Sequence, residues 1–244
     1  MRIAAGIISY DDWPSIKRTI DSVWDGVNLI FIIEGKYPSY PAGPTNTDLY
    51  KDMTKKFVEK NGKNKIIYME YPVEQVQKRN MYLQLAKDCN CECLLVIDSD
   101  EYIKPGADWE LFKKDIQQLV IDPTYPAGSR NNIQHIRYEF EPKKFGILPR
   151  LFYKPWELQY INHWVLTLAN DVYTQVRPGL NIPLQGITMA TDDLLRDSRH
   201  LEFDAEYQWD LMLKEGILTP YDHQDPVKRK KFRDHLIYEL EVWK

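Results

Sequence analysis

The sequence predicts an α/β protein with a mostly parallel central sheet flanked by helices, and three observations carry that prediction. Short apolar runs recur at 2–8 (RIAAGII), 27–33 (VNLIFII), 65–69 (KIIYM) and 93–97 (CLLVI). They lack polar alternation, as strands covered on both faces do. Segments of helical periodicity separate them. Beyond residue 131 the texture changes to aromatic stretches, IQHIRYEF, ILPRLFYK and LQYINHWVL, which predict antiparallel strands in a second half.

After the strand at 2–8, a helix opens with Asp11, Asp12 and Pro14 and continues with Ile16, Ile20, Val23 and Trp24 at helical spacing. The strand at 27–33 leads into GKYPSYPAGPTNT, Gly35 to Thr47, whose Pro and Gly content marks either a surface loop or a lid at a carboxyl strand end. A helix over about 48–60 repeats Leu49, Met53 and Phe57. The strand at 65–69 follows, and a third helix begins near Pro72. In that helix Val73, Val76, Asn80 and Leu83 share a face, which puts Asn80 among apolar neighbours and Arg79 at the edge. The strand at 93–97 completes an alternation that implies right-handed crossovers. A helix at about 107–120 carries Trp109, Phe112, Ile116 and Leu119, and the last helices fall at about 203–215 and 226–242. With no internal repeat and no low-complexity linker, 1–244 reads as one domain, in which 1–101 and 102–202 are halves and 203–244 adds C-terminal helices.

A net charge of -4 gives no general attraction to nucleic acid. The opening MRIAAGIISYDD lacks the basic segment and long apolar core of a signal peptide, and no apolar run approaches the ~20 residues that span a bilayer. A cytoplasmic protein is expected. Cys89, Cys91 and Cys93 form CNCEC, an odd number at a spacing unlike a zinc site, which suits reduced core or edge thiols. In PVKRKKFRDHLIYELEVWK, Phe232, Leu236, Leu240 and Trp243 share a face beside a basic cluster at Lys228 to Arg233. Such a helix can lean on an anionic membrane as a peripheral contact, and more commonly packs on its own domain.

The densest chemistry lies in LLVIDSDEYI, where an apolar run stops at Asp98, Asp100 and Glu101. The carboxyl end of a parallel strand is where open α/β sheets bind ligands. Carboxylates on alternate residues of an extended turn can face one point, a clustering that a hard divalent cation relieves. Asp98 and Asp100 are therefore a candidate metal site, the plainer alternative being a helix cap and two solvated acids. Arg79 is placed to reach phosphate oxygens, or is a surface arginine beside a structural asparagine.

Taken in order, strand IAAGIISY, strand LIFIIEG, helix QKRNMYLQLA and strand LLVIDSDEYI resemble the nucleotide-binding half of GT-A fold glycosyltransferases, particularly the large inverting family 2. The resemblance covers 1 to about 101 well and about 102 to 203 loosely. It implies transfer of a sugar from a nucleotide-sugar donor to a hydroxyl of a glycan or lipid-linked acceptor, with inversion and with Mn²⁺ or Mg²⁺ as cofactor. Residue by residue, it implies that Ser9, Tyr10 and Asp11 border the nucleotide, and that Glu34, where relatives more often have Asp, holds base or ribose. Arg79 and Asn80 match the family's Arg-Asn pair, and Asp98, Ser99 and Asp100 its Asp-x-Asp motif, with Asp100 on the metal and Asp98 on ribose or the metal shell. His200 in RDSRHLEF matches a late third metal ligand. An acidic pair supplies the base in relatives, and TDDLLR offers Asp192 and Asp193, with Asp193 preferred, although the pair is Asp-Asp rather than Glu-Asp. His163 is followed by Trp164 where some relatives carry His-Glu. These two and Trp156, within the run Phe152, Tyr153, Trp156, Tyr160 and Trp164, are the acceptor-side candidates, most of that run being expected in the core. Two other readings remain: a catalytically degenerate module that binds glycan or protein, and a sugar nucleotidyltransferase. The latter needs a Gly-rich loop after the first strand, where SYDDWPSIKRT has no glycine.

Overall fold

The computed structural model describes residues 1–10, 12–13, 15–38, 48–62, 64–121, 132–141, 144–161, 166–169, 171–175, 183–191, 209–210, 212–214 and 216–232. Four strands, β1 (Ile3–Ser9), β2 (Leu29–Glu34), β3 (Ile66–Glu70) and β4 (Cys93–Val96), pair in parallel in the order β3-β2-β1-β4. Every residue of β1, β2 and β4 is buried, which is why these segments lack polar alternation. The crossovers are α1 (Ser15–Val23), α2 (Asp48–Asn61) and α3 (Gln75–Asp88).

The period-2 alternation of β1 divides the core into two. Ile3, Ala5 and Ile7 pack with Ile16, Ile20 and Val23 of α1 and with Phe112. Ala4 and Ile8 pack with Tyr82, Leu83 and Ala86 of α3. Between these two lies Gly6, where an added Cβ would stand 3.0 Å from Tyr82 Cγ, so the glycine is what lets α3 seat its largest ring on the strand. α3 ends through Asn90, left-handed at φ 52, with the Cys91 N–H bonded to Ala86 O at 2.8 Å. Cys91 and Cys93 are buried free thiols, Cys89 a half-buried one.

The sheet continues past β4. β7 (Lys144–Tyr153) pairs antiparallel with β4, β6 (Ile133–Glu141) antiparallel with β7, and β11 (Pro183–Thr191) parallel with β6. At the far end β5 (Glu101–Ile103) pairs antiparallel with β11, giving the order β3-β2-β1-β4-β7-β6-β11-β5. The expected antiparallel strands thus extend the main sheet, and only β8 (Leu158–Tyr160), β9 (Leu166–Leu168) and β10 (Asp171–Gln175) form a separate small one. α4 (Trp109–Ile121) packs against β11, close to its expected position.

The connection from β4 to β5 shapes the whole sheet. In a flat sheet the two strands would lie four spacings, about 19 Å, apart. Yet Glu101 N–H bonds Asp98 O at 3.0 Å, closing residues 98–101 into a turn whose ends lie within about 7 Å. The sheet must therefore curl so that β5 returns to the side of β4. On its outer edge β5 meets α1, where Ser22 Oγ accepts from the Ile103 N–H at 3.0 Å and Thr19 Oγ1 lies 2.5 Å from Glu101 O.

Three expectations need correction. α3 begins at Gln75 rather than Pro72. Its buried face consists of Lys78, Arg79, Tyr82, Leu83 and Ala86; of the expected Val73, Val76, Asn80 and Leu83 only Leu83 lies on it, because the face opens with two charged residues that hydrophobic periodicity does not mark. Glu101, expected beside Asp98 and Asp100 in the turn, is a buried strand residue. Of the expected C-terminal helices, 209–210, 212–214 and 226–232 are described and helical, and a short α5 (Pro220–Gln224) lies between. No helix among the described residues is long and apolar enough to cross a membrane.

Gly6→Val should destabilise the fold by about 1–3 kcal/mol, because the new side chain must displace Tyr82 or Leu94 from a packed core. Urea denaturation should show a lower midpoint with an unchanged slope.

Candidate functional site

The turn after β4 is fixed from every side. Asp98 Oδ1 accepts from Arg79 Nη2 at 3.2 Å and Asp98 Oδ2 from Arg150 Nη2 at 3.1 Å. The same Arg150 nitrogen donates to Glu101 Oε1, and Glu101 Oε2 accepts the Asp98 N–H at 2.8 Å. Ser99 Oγ donates to the Asp12 carboxylate, and Thr19 Oγ1 stands 2.7 Å from Ser99 O. Glu101 is 5% exposed. Burial pushes its carboxyl up to about 7 against the pull of Arg150, with Asp98 and Asp100 adding to the rise. Asp100, half-buried, completes the acidic turn.

A second group closes the carboxyl ends of β1 and β2. Lys78 of α3 is fully buried, and its ammonium donates to Ser9 O at 3.1 Å and to Gly35 O. It also lies 4.1 Å from the centroid of the Tyr37 ring, a cation–π contact. Gly35 must be glycine: its φ is +138, and a Cβ would approach Pro72 backbone at 3.0 Å. Tyr10 meets Tyr37 edge-on at 6.2 Å, and Glu34, 1% exposed, accepts the Gly35 N–H at 3.1 Å. Burial pushes the Lys78 amine down to about 8, opposed by Glu34, Asp12 and Glu74.

α3 ties both groups to the small sheet. Asn80 Nδ2 donates to Tyr160 O at 2.9 Å and Asn80 Oδ1 accepts the Tyr160 N–H at 2.8 Å, a two-point clamp on β8. Tyr160 in turn bonds Tyr82 OH at 3.3 Å, and Tyr82 OH accepts from Arg79 Nη1 at 3.3 Å. Two buried polar atoms, Ser9 Oγ and Arg79 Nε, have no hydrogen-bond partner among the described residues, an arrangement folded proteins seldom tolerate without a bound molecule or water.

The carboxyl edge thus brings together Ser9, Tyr10, Glu34, Arg79, Asp98, Ser99 and Asp100, while Asn80 spends its amide on β8. Trp156 is half-buried in a 3-10 turn, Pro155–Glu157, beside α3. Phe152 and Tyr160 are core. Asp11, His163, Trp164, Asp192, Asp193 and His200 lie outside the described residues. The reading from sequence missed Lys78, Arg150, Asp12 and Thr19. Arg150 does leave a signal: a guanidinium between Leu148 and Leu151 in a central strand seldom stands there without an anionic partner.

A hard divalent cation fits this turn in a restricted way. Among the described residues no three His, Cys, Asp or Glu side chains converge on one point, and Asp98 already holds two guanidiniums. Asp100 could supply one oxygen, the remaining ligands being phosphate and water, a partly hydrated coordination that Mg²⁺ commonly keeps.

No protein-family model matches the chain, and no curated protein matches it in sequence. Solved structures do. A mannosyltransferase from Pyrobaculum calidifontis, PcManGT, in complex with GDP-Man and Mn²⁺, aligns at TM-score 0.50 over 99% of this chain and 70% of that one, with 13% identity. The fold is that of the GT-A glycosyltransferases. S. aureus TarS aligns over 98% of this chain with 11% identity and TM-score 0.41, and GalNAc-T7 with UDP, GalNAc and Mn²⁺ over 97% with 12% identity and TM-score 0.39. This chain spans 43% of that TarS chain and 54% of that GalNAc-T7 chain.

Lys78 gives a signed pH dependence. Its amine titrates near 8 in the folded chain and at 10.5 ordinarily, so between these values the unfolded state binds more protons and stability rises with pH. The stability of wild type relative to Lys78→Met should therefore increase from pH 8 to pH 10, as read from paired urea midpoints. A constant difference would show that Lys78 titrates normally.

Proposed function

We propose that the chain is a glycosyltransferase that moves a sugar from a nucleotide-sugar donor to a hydroxyl of a glycan or lipid-linked acceptor, with inversion and with Mn²⁺ or Mg²⁺ as cofactor. The observation that carries the reading is the Asp98 to Asp100 turn at the carboxyl edge of a GT-A sheet, flanked by the buried guanidinium of Arg79 and the half-buried one of Arg150. The complex of PcManGT with GDP-Man and Mn²⁺ supports the donor class and the metal.

In this reading the base and ribose lie against Tyr10, Tyr37 and Glu34, over the Ser9 and Gly35 backbone that Lys78 fixes. The diphosphate lies over the acidic turn. Asp100, with His200 as a late ligand, would hold the cation, which would supply positive charge to the departing diphosphate. Breaking the sugar–phosphate bond leaves charge on the nucleoside diphosphate, and Arg79 is placed to stabilise it from a water-poor wall. Asp193, or its neighbour Asp192, takes the proton of the acceptor hydroxyl. Trp156, His163 and Trp164 line the acceptor side. A cytoplasmic location and a peripheral membrane contact through the basic C-terminal segment accord with a lipid-linked acceptor.

The test is a melting-temperature panel with UDP, GDP, dTDP and CMP, with and without Mn²⁺. One nucleotide at about 100 times its Kd should raise the Tm by about 5–10 °C in the presence of Mn²⁺. Asp100→Ala, folded, should lose the Mn²⁺-dependent part of that shift and the release of nucleoside diphosphate from the matching donor. Absence of any nucleotide shift would instead favour a glycan- or protein-binding module.

A further inference from the structure

Arg150 does more than line the turn. It projects from β7, the strand paired to β4, and meets the Asp98 oxygen that Arg79 of α3 leaves. One of its nitrogens serves two carboxylates, Asp98 and the buried Glu101. Glu101 holds the backbone N–H of Asp98 in return. Asp98 is consequently gripped by a cation on each oxygen and by an acceptor on its own backbone. Asp98, Arg150 and Glu101 form a closed ring of contacts.

Charge adds to geometry. Asp98 and Glu101 are paired with the guanidiniums of Arg79 and Arg150, and Asp100 adds a further carboxylate to the turn. A divalent cation arriving alone meets two guanidiniums and one aspartate already clasped between them. A nucleoside diphosphate changes both conditions, because its oxygens carry additional negative charge and can accept from the same guanidiniums.

We propose that Arg150 is a built-in counter-cation that withholds Asp98 from divalent metal until a nucleoside diphosphate draws the guanidinium away. The proposal rests on the donor-site reading above for its second half, while its first half concerns metal alone. Arg150 is in these terms a positioning residue, acting on the metal through Asp98. Metal and diphosphate then bind with positive coupling, which by linkage is equal in both directions.

Manganese binding, followed by the electron paramagnetic resonance signal of free Mn²⁺, tests this directly. Wild type should bind Mn²⁺ alone weakly, and Arg150→Gln should bind it at least about fivefold more tightly, a coupling of ordinary size. Because Arg150→Gln leaves the buried Glu101 carboxyl without its cation and risks misfolding, the pair Arg150→Gln with Glu101→Gln is the second variant. It removes the guanidinium together with its buried carboxyl partner, so a gain in Mn²⁺ affinity reports release of Asp98 rather than an unpartnered Glu101. Adding Asp98→Asn to that pair should abolish the gain. Equal Mn²⁺ affinity in wild type and the paired variant would overturn the proposal. UDP and GDP, added to wild type, should tighten Mn²⁺ at least about fivefold for the nucleotide that binds. Failure of both nucleotides to bind at all would defeat the donor reading, leaving the metal-alone comparison to decide the role of Arg150.

Discussion

Asp98 is the point on which the site depends, because its carboxylate joins parts of the chain that are distant in sequence. Arg79 comes from α3, Arg150 from β7, and the backbone of the same turn is held by Glu101 at the start of β5. Charges taken out of water cost heavily unless their partners are complete. Here the partners come from α3, β7 and β5, so forming the ion network also fixes their mutual positions. Removing one member would strand the others, and this makes the network a constraint on architecture as well as a feature of the site.

The tight turn at residues 98–101 has a comparable reach. It carries the acidic side chains, and its length obliges an eight-stranded sheet to curl. A concave sheet places β7, β6 and β11 around the turn instead of leaving it at an open edge. The acidic side chains of the candidate site and the loop that sets the curvature are therefore the same residues. Lys78 plays an analogous part at the neighbouring edge, where one buried ammonium sets the spacing of the β1 and β2 ends.

The parallel half was legible because burial on both faces writes itself into sequence as uninterrupted apolar runs, as in IAAGIIS and LIFIIE. The turn after β4 was legible for the complementary reason, an abrupt change from LLVI to DSDE. α3 was misread because hydrophobic periodicity finds buried faces only where they are apolar. Its face is built on Lys78 and Arg79, whose charges are satisfied by Ser9 O, Gly35 O and Asp98, partners that no local pattern announces. β5 escaped for a different reason: a three-residue strand, EYI, has no period to detect, and only its pairing with residues 189–191 defines it. Arg150 escaped because its partners lie 52 and 49 residues away in sequence.

The outer edge of β5 has a consequence for solubility. Terminal strands of a sheet invite another chain to pair with them, and this is a common start of domain swapping and aggregation. At β5 the hydroxyls of Thr19 and Ser22 in α1 occupy the positions that a foreign strand would need, beside Glu101 O and Ile103 N. That end of the sheet is closed to strand addition by two small side chains. Among the described strands, β3 is the other end of this sheet.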